Sequence, residues 1–179
     1  MTRTRSWTRA TFAMQDWRPW LTDHGSLTQR LRARCPAFAV HRLRQGAARP
    51  HDDERAALAL RGDRVALVRE VLLLCGDTPL IFAHTVVPLP SLRGPWRTLA
   101  GLGNRPLGAA LFANPKIARF PLEYRRLDRR HPLHRAAVAA TGTGHGPLWA
   151  RRSLFALDGH PLLVSEVFLP AVLQLPDSR

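Results

Sequence analysis

Two long apolar segments joined by one tight turn constrain the fold of this chain most strongly. They span residues 65–75 and 80–87, and Gly76-Asp77-Thr78-Pro79 lies between them. Glycine and aspartate favour the backbone conformations of a short hairpin turn. Strands joined over so short a gap pair antiparallel, because a parallel pair needs a long crossover connection. We therefore predict a central β-hairpin.

The other local patterns predict short helices and further strands. Asp158-Gly159 predicts a second hairpin, between strands over residues 148–157 and 161–169. Ser26 and Gln29 have the spacing of a capping box, which predicts a helix starting there. In chain order, the remaining predictions are a strand from Phe38, a polar loop over 48–54, helices from Gly94 and Pro106, a strand over 117–127 and an insertion over 128–146. Sequential antiparallel strands with a few short helices indicate the α+β class.

Length and composition indicate one globular domain. The 179 residues are 45% apolar, which is enough for a single well-buried core. No apolar run approaches the roughly 18 residues that suggest a membrane span. We assign residues 17–179 to the domain and expect the basic residues 1–16 to be flexible. Those residues lack the apolar core of a secretory signal, so the cytoplasm is the expected location, and a transit peptide is the weaker interpretation.

The two cysteines, Cys35 and Cys75, have no metal-binding spacing and form no recognisable disulfide framework. Cys75 ends an apolar segment, as a small buried hydrophobic residue would. We therefore expect both thiols to be reduced and inert.

A net charge of +14 raises the possibility of a nucleic-acid partner. Lys116 is the only lysine, however, and the 26 arginines are spread along the whole chain. Aromatic residues are not interleaved with them as on a single-strand binding surface. A general bias toward arginine explains the charge at least as well, so we expect no nucleic-acid partner. A positive field would still attract a small anion.

Glu166 is the first candidate functional residue, because it lies in an otherwise apolar strand. Its face of the strand carries Leu162, Val164 and Phe168, and the opposite face is mainly apolar as well. A carboxylate there must be paired, protonated or functional, since an unpaired buried charge is costly.

Arg69 occupies an equally apolar face of the first central strand, and its planar guanidinium suits a carboxylate ligand. A structural salt bridge of Arg69 with Glu166 or with Glu70 is the alternative interpretation. The eight histidines show no metal-ligand spacing, so we predict no metal.

Three motifs in the chain resemble the chorismate pyruvate-lyase family of bacteria. The first is Val68-Arg69-Glu70-Val71-Leu72-Leu73, with Gly76-Asp77-Thr78-Pro79 and Thr85-Val86-Val87-Pro88. The second is Pro106-Leu107-Gly108, with Leu111-Phe112. The third is Arg151-Arg152-Ser153, with Pro161-Leu162-Leu163 and Glu166-Val167-Phe168-Leu169-Pro170. Ser26-Leu27-Thr28 is similar to the N-terminal part of that family, and the resemblance runs from about Trp17 to Ala171.

The resemblance implies an α+β fold with a single antiparallel sheet and short helical flaps over a buried ligand site. It implies a carbon–oxygen lyase that needs no cofactor and converts chorismate into 4-hydroxybenzoate and pyruvate in ubiquinone biosynthesis. We expect the chain to be a monomer. By the same resemblance, Arg69 and Glu166 are catalytic and bind substrate or product. Leu27 and Leu107 are the other two binding positions.

Two other classes of protein remain as alternatives. Effector domains of some transcription regulators share the fold and bind a small ligand without catalysis. Such proteins carry an N-terminal helix-turn-helix, for which the residues before Trp17 are too few. A nucleic-acid binder is supported by net charge alone, and its affinity would fall steeply with salt.

Overall fold

The central hairpin is confirmed, with β2 (Ala66–Cys75) and β3 (Thr78–Pro88) paired antiparallel. Gly76 in the turn has a φ of 57°, a conformation that suits glycine. These features belong to a computed structural model, which describes residues 6–9, 14–62 and 64–176. No helix among those residues is long and apolar enough to cross a membrane.

A single antiparallel sheet grows outward from this hairpin, which confirms the predicted fold class. β1 (Phe38–Ala48) pairs with β2, and β7 (His160–Phe168) pairs with β3. The second predicted hairpin joins β7 to β6 (Leu148–Leu157). Two further strands, β4 (Ala118–Arg119) and β5 (Glu123–Leu127), both pair with β6. We expected one strand here, but Pro121 between them has no N–H to donate to the ladder.

Short helices cover both faces of the sheet. They are α1 (Arg18–Leu21), α2 (Leu27–Arg34), α3 (Asp52–Ala57), α4 (Leu89–Arg93), α5 (Leu107–Ala113) and α6 (Pro132–Thr141). Single 3₁₀ turns lie at Gln15–Trp17, Arg97–Gly101 and Pro170–Gln174. Leucines of α2 and α5 pack on one face, which we call the front face. Leu133 and Ala137 of α6 pack on the opposite, back face.

The predicted loop and the predicted insertion both contain regular structure. The prediction of a polar loop over residues 48–54 was wrong, because β1 extends to Ala48 and α3 starts at Asp52. Asp52, Asp53 and Glu54 fill the first turn of α3, where carboxylates stabilise the positive end of the helix dipole. The segment over 128–146 contains α6, so it supplies part of the back-face core.

The helix predicted to start at Gly94 was also wrong. Gly94 ends α4 and has a ψ of −131°, outside the helical region, and only the 3₁₀ turn follows it. The helix predicted to begin at Ser26 is confirmed, because the Ser26 side chain accepts a hydrogen bond from the Gln29 N–H.

The expectation of two reduced cysteines was wrong as well. Cys35 and Cys75 form a disulfide across a sequence separation of 40 residues. Cys35 follows the last residue of α2, and Cys75 is the last residue of β2. Register brings them together, because Phe38 lies opposite Cys75 in the β1–β2 pair. A pairing set by a strand register cannot be derived from cysteine spacing.

Part of the N-terminal segment that we expected to be flexible makes defined contacts. Thr8 forms two backbone hydrogen bonds with Tyr124 of β5, at 3.0 and 2.7 Å. The Trp7 indole N–H donates to Asp53 at 2.6 Å. The expected flexibility of residues 1–5 and 10–13 concerns positions that lie outside the described residues. The described part therefore packs on the domain.

Candidate active site

The front face of the sheet forms the floor of a cavity. Strand register places eight cavity-lining residues in two rows that cross β2, β3, β7 and β6 in that order. The first row is Arg69, Thr85, Val164 and Ser153, and the second is Val71, Ala83, Glu166 and Arg151. Neighbouring strands lie about 4.8 Å apart, and two residues along a strand span about 6.7 Å. The Cα atoms of Arg69 and Glu166 are therefore about 12 Å apart, and their side chains bind other partners, carbonyl oxygens for Arg69 and Arg151 for Glu166.

Helices α2 and α5 form the roof of this cavity. Leu27 is the first residue of α2 and Leu107 the first residue of α5, and both line the cavity. The helices meet at Gly108, where a Cβ atom would lie 3.1 Å from Oγ1 of Thr28. Glycine thus permits the close approach that closes the roof. The space that these residues line is about 620 Å³ when the open solvent at its mouth is included.

Arg69 is 4% exposed and has no carboxylate partner within ion-pair distance in the described part of the chain. Its Nη2 donates to the carbonyl oxygens of Gly103 and Arg105, both at 3.0 Å, and its Nε is buried without a hydrogen-bond partner. Burial lowers the pKa of the guanidinium, and the nearby charge of Arg42 adds to the effect. An uncompensated buried cation at a cavity wall is suited to bind an anion.

Glu166 pairs with a residue that sequence reasoning did not single out as a site residue. The Nε of Arg151 lies 2.5 Å from Oε2 of Glu166. Arg151 is 1% exposed, and its Nη1 also donates to the carbonyl oxygens of Trp20 and Asp23, at 3.2 and 2.8 Å. Glu166 is 18% exposed toward the cavity. Arg151 therefore holds the carboxyl group of Glu166 in a fixed position at the cavity wall.

Neither salt bridge of the alternative interpretation is present. Glu70 points to the back face, where its carboxylate lies 2.8 Å from Nε of Arg44 and 3.0 Å from Nδ1 of His84. The sequence does hold a signal for the Arg151–Glu166 pair. Counting outward along both strands from the Asp158-Gly159 turn places these two residues opposite each other in the hairpin.

The described residues bring three potential metal ligands together at one place, on the back face. Ligand atoms of His51, Glu54 and His84 lie within 4.8 Å of one another. Nε2 of His84 is 3.2 Å from Glu54, and Nδ1 of His51 is 3.2 Å from the same carboxylate. Nδ1 of His84 also lies 3.0 Å from Glu70, so His84 contacts two carboxylates. The cluster lies across the sheet from the cavity.

Comparison with known proteins identifies the family. A family model described as chorismate lyase matches residues 3–175. The chain belongs to the chorismate lyase family. The match begins before Trp17, where we placed the start of the resemblance, so it includes most of the segment that we separated from the domain. All four residues that the resemblance singled out, Leu27, Arg69, Leu107 and Glu166, line the one cavity.

Individual relatives within the chorismate lyase family are similar over most of their length. A protein from Aromatoleum aromaticum named as a chorismate pyruvate-lyase is 54% identical over 161 residues, covering 89% of this chain and 87% of that protein. A protein with the same name from Nitrosospira multiformis is 48% identical, and the match covers 90% of this chain and 97% of that protein.

Solved structures of similar fold come from transcription regulators. The ligand-binding domain of a GntR-family regulator from Bordetella bronchiseptica has a TM-score of 0.53 and 16% identity, over 74% of this chain and 84% of that one. A GntR-family regulator from Bacillus cereus has a TM-score of 0.52 and 12% identity, over 75% and 92%. At these identities the likeness concerns the fold alone.

Proposed function

We propose that this chain is a chorismate pyruvate-lyase, which converts chorismate into 4-hydroxybenzoate and pyruvate on the path to ubiquinone. The observation that carries the proposal is the cavity in a member of this family, with Arg69 on β2 and an anchored Glu166 two strands away on β7. Chorismate has a ring carboxylate and, para to it, a ring hydroxyl. The separation of the two side chains leaves room for the ring between them.

The reaction needs no external reactant. The ether bond between the ring and the enolpyruvyl oxygen breaks, and that oxygen becomes the carbonyl oxygen of pyruvate. The hydrogen on the ring carbon that bears the hydroxyl moves to the enolpyruvyl methylene, which becomes the methyl group. The ring gains its third double bond and is aromatic. Because the driving force lies in the substrate, the protein contributes mainly by holding ring and side chain in a reactive geometry.

Each predicted site residue has a distinct role in this arrangement. Arg69 binds the ring carboxylate through its planar fork of donors. Glu166 accepts a hydrogen bond from the ring hydroxyl and so positions the ring. Leu27 and Leu107 begin the two roof helices, where backbone N–H groups have no carbonyl partner within the helix. Those N–H groups contact the substrate, and the leucine side chains keep water out.

Incubation with chorismate tests the function directly. The appearance of 4-hydroxybenzoate is followed by its absorbance, and pyruvate by a coupled dehydrogenase assay. We expect equimolar products with the wild-type chain and a large loss of kcat/KM in Arg69→Ala. Absence of both products at micromolar enzyme would contradict the proposal.

The role of Glu166 is tested by Glu166→Gln. If Glu166 only positions the hydroxyl, the amide keeps an acceptor, and we expect kcat to fall far less than in Glu166→Ala. A proton relay would need the carboxylate, and both variants would then lose activity equally. Single-turnover measurements, which separate chemistry from product release, give the relevant rate.

The fold likeness to GntR-family domains supports one alternative, a non-catalytic domain that binds a small ligand. It predicts binding of 4-hydroxybenzoate or chorismate by calorimetry without turnover. That the protein is a monomer in the cytoplasm, without a nucleic-acid partner, stays a prediction. Sedimentation tests the monomeric state, cell fractionation tests the location, and a DNA-binding titration tests the absence of a nucleic-acid partner.

A further inference from the structure

We propose that Arg119 binds the second carboxylate of the substrate, the one on the enolpyruvyl side chain. This proposal rests on the proposed lyase function and assigns a substrate contact that the sequence motifs did not single out. Arg119 is the second residue of β4, and its side chain lines the same cavity as Arg69 and Glu166.

The guanidinium of Arg119 is held in place from several sides. Its Nε donates to Oγ of Ser153 at 3.2 Å, and its Nη1 donates to the carbonyl oxygen of His24 at 2.5 Å. The rings of Phe112 and Phe155 lie 5.2 and 5.4 Å from its central carbon. A cation fixed before the ligand arrives loses little conformational entropy on binding, which favours tight and specific contact.

The charges around the cavity point to a ligand with two negative groups. The charged residues that line it are Arg69, Arg119, Arg151 and Glu166. Arg151 and Glu166 neutralise each other, whereas neither Arg69 nor Arg119 has a carboxylate within ion-pair distance among residues 6–9, 14–62 and 64–176. Two arginines without a directly paired carboxylate among these residues thus face the cavity, and Glu166 and Asp23 act on the charge of Arg119 only from a longer distance. A dianion would compensate both, and a monoanion would leave one unpaired in a partly desolvated site.

The positions of the two cations match the arrangement of carboxylates in chorismate. Ser153, which binds Arg119, ends the floor row that begins at Arg69, three strands and about 14 Å away. Glu166 lies on the strand next to Ser153. With the ring carboxylate at Arg69 and the hydroxyl at Glu166, the enolpyruvyl group is attached to the carbon next to the hydroxyl. Its carboxylate can then reach Arg119 on the β6 side of the cavity.

A comparison of two ligands separates this role from a structural one. The product 4-hydroxybenzoate has only the ring carboxylate, whereas 3-(carboxymethoxy)-4-hydroxybenzoate adds a second carboxylate next to the hydroxyl. The variants are Arg119→Met and Arg119→Lys, with Arg126→Ala as the control, since Arg126 is an exposed arginine outside the cavity. Measurements are kcat/KM for chorismate, the Kd of each benzoate and the thermal midpoint.

We expect Arg119→Met to lower kcat/KM and the affinity for the dicarboxylate by about 10- to 100-fold, as for loss of a charge-assisted hydrogen-bonded pair. Its Kd for 4-hydroxybenzoate should stay at the wild-type value, and Arg119→Lys should lie between wild type and Arg119→Met. Equal weakening of both benzoates would show a structural role and overturn the inference, as would an unchanged kcat/KM. If Arg119→Met does not fold, the same two-ligand comparison on Arg119→Lys decides. A wild-type chain that yields no product would instead refute the proposed function.

Discussion

Arg151 contributes one side chain to both the fold and the cavity wall. Its guanidinium joins Glu166 on β7 to a carbonyl oxygen of α1 and to one of the segment between α1 and α2. A cation this deeply buried is tolerated because its Nε has a carboxylate acceptor and its Nη1 has carbonyl acceptors. The same contacts fix Glu166, so the geometry at the ring hydroxyl depends on a residue that lies behind the carboxylate.

Replacement of this buried cation should be costly. We expect Arg151→Met to lower the free energy of unfolding by about 3 kcal/mol, because Glu166 and the carbonyl oxygens lose their partner. Urea denaturation followed by circular dichroism measures the change. The double variant Arg151→Met/Glu166→Leu should recover part of the loss, since it removes the stranded carboxylate. An Arg151→Met variant as stable as wild type would contradict this account.

His84 on the back face should make stability depend on pH. Burial alone lowers its pKa, but hydrogen bonds and charge interactions with Glu54 and Glu70 outweigh burial and raise the pKa to about 9. The stabilising contribution is therefore fully present below the ordinary pKa of 6.5 and is lost as the pH rises through 9.

The corresponding experiment is urea denaturation at several pH values between 6.5 and 9. The free energy of unfolding should fall across this interval in the wild type, whereas His84→Gln should show a flatter profile and a lower value at pH 6.5. Arg44 and His51, which pair with the same two carboxylates, remain in both proteins. Identical slopes for the two proteins would exclude His84 as the titrating group.

At the scale of elements, α2 is attached to the sheet at both of its ends. Arg151 binds the segment before the helix, and the Cys35–Cys75 disulfide attaches the residue after it to the end of β2. Between these attachments lies Leu27, in the roof of the cavity. A roof helix fixed at both ends keeps the first turn of α2 close to Gly108 of α5.

Reduction of the disulfide should therefore destabilise the protein. For a loop of 40 residues, loop-closure entropy gives about 4 kcal/mol. Urea denaturation with and without a phosphine reductant measures it, and the Cys35→Ala/Cys75→Ala variant should not respond to reductant. Equal midpoints for the oxidised and reduced wild type would contradict the estimate. The state of the two cysteines also tests the predicted location, because a reducing cytoplasm keeps thiols free. Alkylation in intact cells labels both cysteines if they are reduced and neither if the disulfide is formed.

At the scale of the whole molecule, the sequence has 27 basic and 13 acidic residues, and the cavity is lined by Arg69 and Arg119, neither of which has a directly paired carboxylate among the described residues. A positive field of this kind raises the local concentration of an anionic substrate and speeds its association. The proposed anionic substrate is therefore one reason for a charge that first suggested nucleic acid.

Substrate capture should accordingly depend on salt. We expect kcat/KM for chorismate to fall several-fold as sodium chloride rises from low to physiological concentration, because screening shortens the reach of the field. The single-turnover rate at saturating substrate should change little, since the bound ligand is shielded from the solvent. A kcat/KM independent of salt would show that long-range attraction is unimportant.

The amino-acid sequence by itself determined the two hairpins, the N-cap of α2 and the two charged residues on apolar strand faces, since these depend on neighbours within a few positions. The motifs around Arg69, Leu107 and Glu166 were sufficient for the family. Contacts between distant segments were decided only by the tertiary structure: the Arg151–Glu166 pair, the disulfide, the His84 cluster and the place of Arg119 in the cavity. Each of these contacts depends on strand register or on the position of a helix over the sheet, and the spacing of residues along the chain does not determine either of these.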